Sequence, residues 1–148
     1  MPLDTTTRML APFLDRLSDE ELDAVPYGII QLDAEGHILS YNKAEADGTN
    51  FTSPRPIGRD YFGDVAPSAF VAEIFGRYVE AYSSHHLDEM FRFTFIDGMM
   101  PRTVLVRMYY SARTGTIWIF TANPDGSPFV YGQHTPCDVR DAPSARVA

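Results

Sequence analysis

Few side chains in this 148-residue sequence could do chemistry, and each has a structural role that competes with it. Ser68 stands at the start of a long helical pattern. A serine hydroxyl acts as a nucleophile only beside a base, typically a histidine. The nearest histidines in sequence, His85 and His86, fall at the far end of that helix, so an N-cap is the better reading of Ser68. Two adjacent histidines cannot both face one metal from regular structure, and His37 and His134 lie elsewhere, so no pair has the spacing of a metal site. The single cysteine, Cys137, excludes an intramolecular disulfide and a cysteine-clustered zinc site. Its Pro-rich surroundings predict exposure. There is no phosphate loop, nucleophile elbow or kinase signature.

Glu45 has two readings. With Asn42 it fits a variant of the capping box, which would turn its side chain back onto its own helix. Alternatively it sits in an apolar cleft, kept protonated by desolvation, as a candidate acid or base. No basic residue lies between Ala44 and Ser53 to stabilise its charge.

The elements that would position these groups follow from periodicity. Met9, Leu10, Phe13, Leu14 and Leu17 recur at helical spacing. Ser18 and Glu21 form a capping box for a second short helix that stops before Pro26. Tyr27–Asp33 and His37–Tyr41 flank Ala34-Glu35-Gly36 as a hairpin. A short helix follows Asn42, then irregular loop from Gly48 to Gly58 and an apolar turn from Tyr61 to Ala66. Ser68 is expected to open the longest helix, with Phe70, Val71, Ile74, Phe75, Tyr78, Val79 and Tyr82 on one broad apolar face. Three strands follow, Met90–Ile96, Thr103–Tyr110 and Thr116–Ala122, the first with Phe91, Phe93 and Phe95 on one side. This order predicts an α+β domain: a five-stranded antiparallel sheet with its helices on one face. The expected divisions are an N-terminal helical cap at 1–26, a core at 27–122 and an extended Pro/Gly-rich tail at 123–148, packed in part through Phe129, Val130 and Tyr131.

Composition fits one domain: 45% hydrophobic, 13% aromatic and 22% charged residues. A net charge of −8 makes nucleic acid and anionic membrane surfaces poor partners. No apolar run approaches a membrane span, and the first residues do not read as a secretory signal, so the cytoplasm is the expected compartment.

The run LDAVPYGIIQLDAEGHILSYNKAEAD, Leu22 to Asp47, resembles the opening of photoactive yellow proteins, a family of the PAS superfamily. The resemblance continues through IGRDYFGDVAPS (Ile57–Ser68), LDEMFRFTF (Leu87–Phe95) and Trp118-Ile119-Phe120, and covers roughly Leu17 to Thr121. It implies a PAS fold. In that family p-coumaric acid is bound as a thioester to a cysteine, and its phenolate is held by a tyrosine and a glutamic acid with a threonine behind them. By position these three are Tyr41, Glu45 and Thr49. The arginine that covers the family's pocket falls at Phe51, and the chromophore cysteine falls at Ser68.

The resemblance therefore implies a pocket that keeps its phenol-binding end and lacks its covalent anchor. Phe62, Phe95 and Met99 join Tyr41, Glu45, Thr49, Phe51 and Ser68 as expected ligand contacts, with Phe93 and Met108 as further wall candidates. The expected function is a sensory module that binds a small aromatic acid or phenol, such as a hydroxycinnamic acid, without a covalent cofactor. A protein partner or a homodimer would receive its signal. Two alternatives stand beside it: an enzyme acting on a hydroxycinnamoyl-like or apolar acyl substrate through Glu45, and a photoreceptor with a different chromophore.

Overall fold

The computed structural model describes residues 2–49 and 51–129. Its five strands are β1 (Gly28–Leu32), β2 (Ile38–Tyr41), β3 (Asp88–Phe95), β4 (Arg102–Ser111) and β5 (Thr116–Ala122). Every residue of β5 is buried. A strand buried on both faces must lie inside its sheet with a layer on each side, and the sheet order is β2-β1-β5-β4-β3, all antiparallel.

Alternation along the strands sorts side chains between two cores. Ile30, Leu32, Val104, Val106, Met108, Ile117 and Ile119 share one core with Tyr61, Ile74 and Tyr78. Ile29, Trp118 and Phe120 face the other way and are covered by Leu3, Leu14 and Leu22. The helices thus do not all lie on one face, as the sequence order suggests. The N-terminal segment covers the second face, and β5 is apolar on both sides for that reason.

The N-terminal cap begins with α1 (Leu3–Leu10) and tightens into a 3₁₀ stretch at Ala11–Arg16. The spacing from Met9 to Leu17 suggests one helix there, but Pro12 has no N–H to continue the α pattern. Helix α2 (Asp19–Asp23) opens with the Ser18–Glu21 capping box formed in both directions. Asp15 fastens this segment to the sheet, accepting from Ser111 Oγ at 2.7 Å and from Trp118 Nε1 at 3.3 Å. After β5, Gly126 O accepts from Leu3 N at 2.9 Å and Phe129 is buried. Val130, Tyr131, His134 and Cys137 lie outside the described residues.

Helix α3 (Lys43–Asp47) follows β2 directly. The long helix expected from Ser68 is a broken run: a single 3₁₀ turn at Pro67–Ala69, extended backbone at Val71 (φ −139°, ψ 169°), a wide turn at Ala72–Gly76, then α4 (Arg77–Ser84). Ser68 is not an N-cap. Its N–H and hydroxyl both go to Asp97, at 2.8 and 2.5 Å, so the first turn is held to the segment after β3 and not aligned with α4. Ile74 and Tyr78 are buried as their spacing predicts, whereas Phe70, Val71 and Val79 are exposed. No helix of the described residues is long and apolar enough to cross a membrane.

Candidate ligand-binding site

Helix α3 places the site. Asn42 caps it, with Oδ1 accepting from Glu45 N at 3.2 Å and from Ile29 N at 2.8 Å. The same side chain donates to Leu22 O and Tyr27 O, at 2.9 and 2.8 Å. These bonds anchor the start of α3 to β1 and to the end of α2, and Glu45, one turn in, faces the interior.

The capping-box variant is therefore half formed: Asn42 caps, but the Glu45 side chain does not return. It is 4% exposed and accepts from Arg102 through both oxygens, Oε1 from Nη2 and Oε2 from Nη1, each at 3.2 Å. Oε1 also accepts from Thr121 Oγ1 at 2.6 Å. This is the geometry of a carboxylate in a bidentate ion pair. It overturns the expectation of a protonated acid, which considered only the neighbours of Glu45 in sequence. Arg102 arrives from the start of β4, where it opens the inward alternation continued by Val104, Val106 and Met108. Thr121 likewise continues the inward series Ile117 and Ile119. A charge and a hydroxyl at inward positions of apolar strands were the available signals for both residues; their pairing with Glu45 was not readable.

Beside this pair, Tyr41 Oη and Thr49 Oγ1 lie 3.0 Å apart. Thr49 Oγ1 also reaches the helix carbonyls, Glu45 O at 3.1 Å and Ala46 O at 3.3 Å. Either hydroxyl of the Tyr41–Thr49 pair can be the donor. Burial first, and then the charge of Glu45, push the Tyr41 pKa up; the Thr49 contact and Arg102 offset part of that rise. Tyr61 is likewise held well above the ordinary tyrosine range, by burial first and then by Glu45 and Tyr41.

Tyr41, Glu45, Thr49, Phe51, Phe95 and Met99 line one cleft of about 890 Å³, together with Tyr61, Asp97 and Arg102. Phe51 stands edge-on to Tyr41, with centroids 6.4 Å apart, and Arg59 lies over the outer ring at 5.2 Å. Phe95 is opposite Arg102 in the β3–β4 register. Met99 is 98% exposed, at the rim.

Four expected contacts do not reach the cleft. Phe93 packs edge-on to Phe95, with centroids 4.8 Å apart, and is not part of the wall. Phe62 is buried in an aromatic cluster with Tyr61, Phe75 and Tyr78, because the wide turn at Tyr61–Val65 points Tyr61 and not Phe62 toward the cleft. Met108 is fully buried core. Ser68 has its hydroxyl turned onto Asp97, and the wall is made by its neighbours Pro67 and Asp97. The basic group beside Ser68 is thus an aspartate from the segment after β3, and not a histidine of its own helix. Asp33, Glu35 and His37 bring possible ligand atoms within 4.8 Å of one another at the β1–β2 turn. Asp33 Oδ1 already accepts from Glu35 N and His37 N, which is the bonding the turn itself requires.

No family model matches the chain. A photoactive yellow protein of Halochromatium salexigens is 37% identical over 107 residues, 72% of this chain and 86% of that protein. One from Rhodothalassium salexigens is 36% identical over 104 residues, 70% of this chain and 83% of that protein. The crystal structure of the photoactive yellow protein domain of the sensor histidine kinase Ppr from Rhodospirillum centenum superposes with a TM-score of 0.70 at 34% identity, covering 76% of this chain and 98% of that domain. A domain of a sensory box sensor histidine kinase/response regulator from Geobacter sulfurreducens shares the fold, with a TM-score of 0.51 at 19% identity over 80% of this chain and 91% of that one. With relatives above one third identity over most of their length, the five-stranded sheet and its α3 cleft make this chain a PAS-fold member of the photoactive yellow protein family.

Proposed function

We propose that this sensory PAS module binds a small aromatic ligand of the phenol or hydroxycinnamic acid class in the α3 cleft, without a covalent bond. The observation that supports this is the wall itself: Tyr41, Phe51, Tyr61 and Phe95 supply aromatic surface around one polar end made by Tyr41, Thr49, Glu45 and Arg102. A concave, mostly apolar site with a few convergent polar groups is what a small-molecule pocket requires.

Ser68, at the position that the resemblance assigns to the family's cysteine, is a poor acyl acceptor. Among the described residues its basic neighbour is the Asp97 carboxylate, a far weaker base than the histidine that activates catalytic serines. The reading of Glu45 as a catalytic acid or base has less support, since both its oxygens are occupied by Arg102 and Thr121.

The test is calorimetric titration of the chain with 4-hydroxycinnamic acid and with its methyl ester. We expect one saturable site for at least one of them, and the unmodified mass after denaturation. Tyr41→Phe should weaken binding roughly fivefold, the worth of about 1 kcal/mol for one hydrogen bond. No saturable binding of either compound would overturn the proposal, and a mass gain that survives denaturation would overturn its non-covalent part.

A further inference from the structure

The outer rim of the α3 cleft is apolar and uncovered among the described residues. Met99 and Met100 line it, and they are 98% and 76% exposed. Ile96 and Phe70 are exposed as well. These four stand on two segments that are tied together, since Ser68 Oγ donates to Asp97 Oδ2 at 2.5 Å and accepts from Ile96 N at 3.3 Å. One exposed apolar side chain is ordinary, but four on two joined segments at the mouth of a cleft mark a surface that something covers.

The occupant follows from where the described chain ends. Phe129 is buried, its N–H donates to Pro26 O at 2.9 Å, and the Arg102 guanidinium lies over its ring at 5.5 Å. Arg102 is itself on the cleft wall, two residues after Met100. Two residues span at most about 7 Å, so the chain enters residue 130 on the rim's side of the molecule. Residues 130–148 then follow, beginning Val130-Tyr131. Extended, they could span about 60 Å, so reach does not limit them. An aromatic ring at the second position suits a rim of two thioethers, which pack well against aromatic edges.

Charge separates this segment from the other candidate, a second copy of the chain. Residues 130–148 hold Arg140 and Arg146 against Asp138 and Asp141 and carry no net charge, whereas the whole chain carries −8. The cleft wall includes the carboxylates of Asp47, Asp64 and Asp97. A neutral segment meets them without repulsion, and a second copy brings a strongly negative surface to them.

We infer that residues 130–139 of the chain dock on its own Met99–Met100 rim, with Tyr131 packed against the methionines. The mouth of the cleft is then narrower in the full chain than its walls alone make it, and a ligand passes this segment on its way in. The docking does not depend on the ligand, so it is tested on the chain without one.

Cys137 is the one cysteine of the sequence, so a nitroxide attached there reports where this segment lies. In the isotope-labelled full chain, the amide signals of Gly98, Met99 and Met100 should lose more than half their intensity and regain it when the nitroxide is reduced. Gly115 should keep its signal, because it lies past the far end of β4, a ten-residue strand about 33 Å long that starts at Arg102. Tyr131→Ala should restore most of the lost intensity. A mixture of isotope-labelled Cys137→Ser chain with unlabelled, nitroxide-bearing chain should show no broadening at Gly98–Met100. Broadening in that mixture would give the rim to a second copy and overturn the inference. Sharp Gly98–Met100 signals in the nitroxide-bearing chain itself would overturn it as well, and undiminished broadening in Tyr131→Ala would overturn the role of Tyr131.

Discussion

Replacing Arg102 by methionine should cost about 3 kcal/mol of stability, because it leaves the Glu45 carboxylate buried without its partner. Surface ion pairs are usually worth well under 1 kcal/mol, so the expected size depends on where this pair lies. Glu45 is 4% exposed and Arg102 19%, and the guanidinium meets both carboxylate oxygens. Methionine keeps much of the length and removes the charge, so the effect reports the pairing more than a cavity. The double variant Glu45→Gln/Arg102→Met should recover most of the loss: glutamine still accepts from Thr121 Oγ1, and no charge remains to be compensated. Urea denaturation of the wild type, both single variants and the double variant gives the coupling energy. If Arg102→Met loses less than about 1 kcal/mol, the pair is not what holds Glu45 in place.

A second large effect is expected from Gly28→Ala, again about 3 kcal/mol, from overpacking combined with a broken buried hydrogen bond. Gly28 faces Thr121 across the β1–β5 ladder. A Cβ at Gly28 would run into Thr121 Oγ1 and Glu45 Oε1, which are hydrogen-bonded to each other. Glycine is thus required here for close approach, not for a turn. Gly98→Ala is the control, since the nearest atom to an added Cβ is Met100 O at 4.0 Å, and it should change stability by less than about 0.5 kcal/mol. Thermal and urea melts of the two variants decide the matter; equal effects would mean that the space beside Gly28 is not constrained by the Glu45–Thr121 contact.

The strands were legible because their side chains alternate and their turns carry Gly: Ala34-Glu35-Gly36 and Thr114-Gly115 both join neighbours in the sheet. The Ser18–Glu21 cap was legible because its partners are three residues apart. What failed had its cause far away in sequence. The helix expected at Ser68 breaks because Asp97, nearly thirty positions on, takes its N–H and hydroxyl. The state of Glu45 was misjudged because Arg102 lies on another strand. Tyr41, Thr49 and Phe51 were placed together by resemblance, and the cleft contains all three; the contact between the Tyr41 and Thr49 hydroxyls needed coordinates.

The position of β5 has a consequence for how the chain comes to be folded at all. The strand at the centre of the sheet is the last of the five to be synthesised. Its partner β1 precedes it by roughly ninety positions, and long-range pairing of this kind is slow because the chain must close a large loop first. While β5 is still inside the ribosome, the nascent chain can form only two hairpins, β1–β2 and β3–β4, each with an open edge. Two-stranded ribbons are marginally stable in water, and open edges recruit other strands. A chain that stalled before Thr116 would therefore display the open edges of β1 and β4, and the tidiest remedy available to it would be a strand from a neighbouring polypeptide.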